Sequence, residues 1–332
     1  MKRLLCALSV FVLGASSVEA KTVVKFATVA PANTPWADSI KTIQTHVKKS
    51  SKGSIKVKAY LGGQLGGELE ILQGVRRGRI QGAGLTSGAL ASAIPELDVL
   101  EIPYLFDSTE EADFILDRYL FDAFKKIFEK RGLILVSWAE NGWRNIGTRS
   151  KPVRSPKDLK GVKVRSQESK SHIAFWKAMG ALANPIAVTE VLPALQTGLV
   201  DGFDNTPLFT LAAEWHTAIK YYSVTEHIYQ PAAIVYGAKF WKKMSPANRK
   251  ILYGDGNAQA LAVRAGVRAL GAELLSVLKE TGVEVYQLSE KEKGMFKKAV
   301  EGLPSSLVKD IGGEAERIFK LIQQGKAAFS KR

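Results

Sequence analysis

Two hydrophobic patterns alternate along the chain. Short apolar runs, some with period two, predict strands; longer stretches with apolar residues three and four apart predict helices. Val23 to Val29 (VVKFATV) is a first strand, and the break from Ala30 to Pro35 leads into a helix from about Trp36 to Lys49. Ser54 to Leu61 (SIKVKAYL) alternates strictly, so it is a strand with one solvated face. Gly62 to Gly67 turns into a helix from Glu68 to Arg77, and Gly82 to Leu85 is a strand of small residues. Leu97 to Phe106 carries a strand broken at Pro103, Thr109 to Lys130 is helical, and Leu133 to Trp138 (LILVSW) is a buried strand.

A second unit begins near Gly142. Strands are expected at Arg144 to Thr148, Val162 to Arg165, Pro185 to Val188, Leu199 to Asp204 and Ala232 to Tyr236. Between them, Ser155 to Leu159 resembles a capped helical turn with Pro156 at its first position, and His172 to Met179 is a helix. Thr189 to Thr197 is a helix kept short by Pro193, and Thr206-Pro207 starts another. Ser245-Pro246 opens a long helical stretch to about Lys279, in which Gly254, Gly256, Gly266 and Gly271 predict a break. This alternation is the pattern of an α/β fold with a mostly parallel sheet.

Composition narrows the function class. At about 150 residues per domain, 332 residues suit two domains. With 46% apolar and 24% charged residues the chain is not disordered, collagen-like or a coiled coil. One cysteine excludes an internal disulfide and a Cys-rich zinc site, and the four histidines form no HExxH pair. Met1 to Ala20 has the order of an export leader: Lys2 and Arg3, an apolar run from Leu4 to Leu13, and Val18-Glu19-Ala20 as a small-x-small site. That run is shorter than the ~20 residues a membrane span needs. No small residue precedes Cys6, so no lipid anchor is expected. Cleavage after Ala20 removes Cys6 and lowers the net charge from +15 to +14 (45 bases against 31 acids), leaving a soluble, periplasmic protein that starts at Lys21.

Three segments carry candidate chemistry. Gly62 to Gly67 lacks both the Gly-Lys-Ser/Thr ending and the GxGxxG spacing of phosphate loops, so it reads as a turn. Asn141-Gly142-Trp143-Arg144-Asn145 follows a buried strand directly, at the end where α/β sheets take ligands. Arg165 and Asn205 close two further strands in the same way. In an alternating strand Val162 and Val164 share one face and Lys163 and Arg165 the other. An arginine fork matches a carboxylate with two parallel hydrogen bonds. Each arginine also suits an ion pair with a neighbour such as Glu168 or Asp204, and the pattern alone does not choose.

Read in order, these blocks resemble a family. They are Phe26-Ala27-Thr28, Gly63-Gln64-Leu65-Gly66, Asn141 to Arg144, Asp158 to Arg165, Glu190-Val191 with Ala194-Leu195-Gln196, Val200-Asp201-Gly202 with Asn205, and Thr225 to Tyr229. Together they resemble the solute-binding proteins of TRAP (tripartite ATP-independent periplasmic) transporters, dicarboxylate-binding type, over essentially the whole mature chain. The resemblance implies an α/β two-domain periplasmic-binding-protein clamshell with mixed, mostly parallel sheets and a hinged cleft. It implies a first domain of residues 21–141 plus about 226–265, and a second of 142–225 plus about 266–332. The partners would be a small organic anion and the membrane permease subunits, with no cofactor and no metal.

Arg165 falls on the family's carboxylate-binding arginine. Arg144 and Asn205 match supporting positions, and Thr86 and His227 match pocket-lining ones. Three departures stand out. Phe203-Asp204-Asn205-Thr206-Pro207 replaces a frequent Gln-Glu-Asn-Pro, Ser166-Gln167 replaces Val-Pro, and Val188 occupies a commonly aromatic position. Phe203 and Glu168, beside these departures, are further pocket candidates, with core packing and a surface pair as the other readings. The departures leave the anion's identity open, but not its carboxylate.

The segment from Arg149 to Arg165 holds seven bases against Asp158. It is read as a solvated face or as a field that draws anions toward the cleft. No basic segment interleaved with aromatics points to nucleic acid. No motif ties His227, Asp204 or Glu140 into a nucleophile–base pair, so the protein is read as a binder and not an enzyme. The alternatives are a sensor that presents ligand to a signalling receptor, and an exported enzyme.

Overall fold

The computed structural model describes residues 21–332; the expected leader, its cleavage site and Cys6 lie outside the described residues. Nine strands form one sheet: β1 (Thr22–Ala27), β2 (Ile55–Tyr60), β3 (Gly82–Thr86), β4 (Leu133–Thr148), β5 (Lys163–Ser166), β6 (Leu182–Pro185), β7 (Gly202–Asn205), β8 (Tyr221–Gly237) and β9 (Glu284–Gln287). Their order is β2-β1-β3-β8-β4-β7-β5-β6, with β9 added to β8. Five of the eight pairings are parallel.

Local sequence accounts for most elements. In β2, Ile55 and Val57 are buried while Lys56 and Lys58 are exposed, as the alternation requires. The helix Pro35–Ser50 starts with Thr34 capping the Ala37 N–H and buries Trp36, Ile40, Ile43 and Val47 along one face. Ser155 closes a capping box over the turn Pro156–Leu159. The helical stretch after Ser245 breaks at Gly254, and Val191–Thr197 is short, both as expected.

The two long strands organise the molecule. β4 and β8 pair antiparallel from Leu133↔Gly237 to Thr148↔Tyr221, with register shifts at Leu135/Ser137, Glu140/Gly142 and Arg144/Ile146. Gly142 takes φ +107°, a backbone region that other residues rarely adopt, and so lets the strand kink there. On one side of the kink β8 pairs with β3; on the other, β4 pairs with β7 and β8 with β9. Two half-sheets, each covered on both faces, therefore share two strands. In the first lobe one face is packed by Leu72, Phe124 and Trp138 and the other by Phe26, Ile40 and Val263. In the second, Val164, Phe175 and Trp176 fill one face and Leu195, Phe203 and Trp215 the other.

The structure corrects the sequence reading at several points. Leu133–Trp138 and Arg144–Thr148 are one strand, so Asn141 to Asn145 lie in its middle and not at its end. A polar, kinked stretch inside a strand reads as a strand end when its partners are not yet known. Leu97 to Phe106 is not a strand: Pro95–Glu101 forms a 3-10 helix. The strand expected at Pro185 to Val188 lies earlier, at Leu182–Pro185. Beyond Lys279, where no element was read, lie β9 and three helices, Glu290–Ala299, Leu303–Ile311 and Ala315–Phe329. The last buries Ile318 and Ile322 against Ile115 and Leu116 of the first lobe.

Candidate functional site

A cleft opens where the two half-sheets meet, lined by residues from both lobes. Arg144, Arg165, Asn205 and Thr86 line it, together with Trp36, Glu68, Asn141, Gln167 and Gln230. Its apolar wall includes Trp36, Leu85, Val188, Leu208 and Phe209. Gly84 lies under the Trp36 ring, where a Cβ would come within 2.5 Å of Cζ3, so only glycine lets the ring lie there.

The two arginines have different surroundings. Arg144, from the middle of β4, donates its Nε to Asp204 Oδ2 at 2.5 Å and its Nη2 to the Asp204 carbonyl. Its Nη1 donates to Gln230 Oε1 at 2.7 Å and to Asn205 Oδ1 at 3.4 Å. Its charge is thus balanced within the protein. Arg165, the last residue but one of β5, is 2% exposed and donates only its Nε, to the Ile186 carbonyl at 2.9 Å. Among the described residues it forms no ion pair with a carboxylate. Burial, and then the Arg144 guanidinium, pull it down to about 10 against weaker help from Asp204, Glu168 and Glu68. Asn205 Oδ1 receives Asn141 Nδ2 at 3.0 Å, Thr206 N at 2.8 Å and Arg144 Nη1, so these contacts leave its amide NH₂ unused.

Thr86 and Glu68 form the opposite wall. The Thr86 N–H donates to Glu68 Oε1 at 2.7 Å and its hydroxyl to Oε2 at 2.8 Å. Burial pushes the Glu68 carboxyl up, and these two donors pull it back without cancelling the rise. Gln167 Nε2 reaches from the second lobe to Thr86 Oγ1 at 2.9 Å, and Gln230 Nε2 donates to Gln167 Oε1 at 2.7 Å. The Gly62–Gly67 turn, read as no phosphate loop, packs against the second lobe: a Cβ on Gly63 would meet Thr189 Cγ2 at 2.8 Å.

Behind the cleft lies a buried charged network. His172 Nε2 contacts Glu101 Oε2, and both His172 Nδ1 (3.5 Å) and His227 Nε2 (3.4 Å) approach Asp204 Oδ2. Burial opposes every charge here. For Glu101 the contacts with His172 and Ser87 outweigh it and hold the carboxyl low; for Asp204, Arg144 and the two histidines do the same. Glu101 and Asp204 together raise His172 despite its burial. His227 is held low, chiefly by burial.

Three expected residues do not line the cleft. Phe203 is core, with its ring 4.9 Å from that of Trp215 and edge-on to it. His227 sits behind the wall, stacked 4.2 Å from the Phe175 ring, with Nδ1 2.8 Å from Thr225 Oγ1. Glu168 is partly buried beside Arg165 but outside the lining. Conversely, the sequence reading did not single out Glu68, Gln230 or Trp36. Glu68 had one signal, its position directly after a glycine-rich turn at a helix start. No described helix is long and apolar enough to cross a membrane. Among the described residues no group of three or more His, Cys, Asp or Glu is placed to hold a metal ion.

A lobed α/β clamshell with one unpaired arginine in its cleft is the architecture of a periplasmic binding protein. The profile of bacterial extracellular solute-binding protein, family 7 (DctP) matches residues 26–309. The chain belongs to this family, the TRAP-type solute-binding proteins. It is 30% identical over 239 residues to the 2,3-diketo-L-gulonate-binding periplasmic protein of Escherichia coli, covering 72% of this chain and 73% of that one. Its fold matches the sugar acid binding protein of Advenella mimigardefordensis in complex with galactonate (TM-score 0.88, 25% identity, 92% of this chain and 99% of that one). It also matches a TRAP periplasmic solute-binding protein of Polaromonas bound to D-erythronate (TM-score 0.85, 29% identity, 91% and 98%).

Proposed function

We propose that this chain captures an organic acid anion in the periplasm and delivers it to the membrane permease subunits of a TRAP transporter. The observation that carries this reading is Arg165, a buried cation beside the cleft with no ion-paired carboxylate of its own. In this reading the ligand carboxylate docks on the two Nη atoms of Arg165, next to the Asn205 amide. Arg144 holds Asn205 in place and carries no ligand charge. The ligands named for the relatives, diketogulonate, galactonate and erythronate, are all acids of the kind this cleft would take.

The step is binding and not catalysis. The histidines near Asp204 lie behind the lining, out of a ligand's reach. We divide the lobes at the kinks of β4 and β8, as 21–141 plus about 226–265 and 142–225 plus about 266–314. The packing of Ile318 and Ile322 supports returning the final helix to the first lobe. Closure about these strands would bury the ligand and create the form that the permease reads. Mass spectrometry of the small molecule released from purified, denatured protein tests the reading: an organic acid is expected, and a cation or neutral solute overturns it. Export with cleavage after Ala20 would be seen as Lys21 at the N-terminus of periplasmic protein; an intact Met1 there counts against it.

A further inference from the structure

We propose that the cleft selects a hydroxylated monocarboxylate, with Glu68 accepting its hydroxyl hydrogens and turning away a second carboxylate; this rests on Arg165 being the carboxylate anchor. The lining holds three charged side chains, Glu68, Arg144 and Arg165. Arg144 is balanced by Asp204, so one free cation faces one carboxyl.

The hydrogen bonds fix the polarity of Glu68. Thr86 Oγ1 already accepts Gln167 Nε2 at 2.9 Å and, as a helix cap, the Ala89 N–H at 3.4 Å. A hydroxyl has two acceptor positions and one hydrogen, so the Thr86 hydrogen goes to Glu68. Both Glu68 oxygens therefore act as acceptors, one toward this hydroxyl and one toward the Thr86 N–H. A carboxylate has roughly four acceptor positions, so Glu68 keeps capacity for donors in the cleft. Ligand hydroxyls supply such donors. A second ligand carboxylate supplies none, finds no unpaired cation among the lining residues, and meets a carboxylate of its own sign. Trp36, Leu208 and Phe209 offer apolar faces to the C–H surface of a polyol chain.

The test compares acids that differ only at the far end, CH₂OH against COO⁻: D-galactonate with galactarate, D-gluconate with D-glucarate, and D-erythronate with meso-tartrate. Titration calorimetry on the full mature chain should show tighter binding of the monoacid by about tenfold or more in at least one pair, and no diacid preferred in any. In Glu68→Gln, which keeps the side-chain shape without the charge, that ratio should fall by about fivefold or more. A diacid bound more tightly than its monoacid in any pair, no pair reaching the tenfold preference, or a ratio unchanged in folded Glu68→Gln overturns the proposal; so does the absence of binding by all six. The wild-type ratios decide alone if Glu68→Gln does not fold. Arg165→Met separates the two ideas. If it leaves monoacid binding intact while the pair preference persists, the anchor is wrong and the selectivity stands.

Discussion

Replacing Arg165 with methionine should move stability and affinity in opposite directions. The pKa of the Arg165 guanidinium is lowered from its ordinary value to about 10, first by burial and then by Arg144. At ~1.4 kcal/mol per tenfold shift, that depression sets on the order of 3 kcal/mol against this charge in the unliganded fold. A basic group whose folded value is depressed destabilises at every pH below that value, so the penalty is fully present at neutral pH. Methionine removes the charge and fills the space flexibly. It also loses the bond from Nε to the Ile186 carbonyl, worth ~1 kcal/mol. The balance is a gain of about 2 kcal/mol, or several degrees in melting temperature. Binding should move the other way. Truncating one partner of a buried charge pair costs about 2–5 kcal/mol, which at ~1.4 kcal/mol per decade is roughly thirty-fold to several thousand-fold. Arg165→Lys should also bind weakly, because an ammonium lacks the planar fork. Arg149, which is 38% exposed and 3.7 Å from Asp201, is the control: its alanine variant should change affinity little. Calorimetric titration and ligand-free thermal melts measure both quantities. Arg165→Met binding within about threefold of wild type would refute the anchor, and a lowered ligand-free melting temperature would refute the stored penalty.

Three further outcomes follow from the geometry. Gly84→Ala would press a methyl to 2.5 Å from Trp36, whose ring is tethered by Nε1 to the Glu140 carbonyl at 3.0 Å; a loss of about 1–3 kcal/mol in denaturant melts and weaker binding are expected, and unchanged values would contradict the packing. The acid identified by mass spectrometry should shrink the radius of gyration in small-angle scattering, since the lobes are joined through the kinked strands β4 and β8; an identical profile at saturation argues against a hinge. His172 is raised from 6.5 and Glu101 lowered from 4.5, so the stabilisation from the charged pair is full between those ordinary values. It is lost as pH falls through Glu101's lowered value and as pH rises through His172's raised one. The stability gap between wild type and His172→Gln should therefore be widest at about pH 5–6 and narrow on going alkaline; a gap independent of pH would show that the pair is not charged.

Signals carried within one or two turns of chain were legible in the sequence. The alternation in β2, the Thr34 and Ser155 caps, the break at Gly254 and the strand that presents Arg165 all depend on neighbours a few residues away. The family's ordered blocks also brought Arg144, Asn205 and Thr86 to the cleft lining. Long-range pairing decided the rest. Asn141 and Gly142 fall in the gap between two expected strands, because a strand interior tolerates groups such as Asn141 and the neighbouring Arg144 only when their partners are supplied. Those partners are Asp204, 60 positions from Arg144, and Gln230, 86 positions away. Glu68 and Gln167 meet at Thr86 from separations of 18 and 81 residues, so no local pattern marks them. His227 reads as a pocket residue from the family resemblance, and Phe203 because it adjoins a departure from the family's pattern; the pleat of their strands turned one behind the wall and the other into the core. Local sequence set which segments became strands and helices. Which charged groups faced the cleft, and which neutralised one another behind it, was settled only when two distant strands crossed between the lobes.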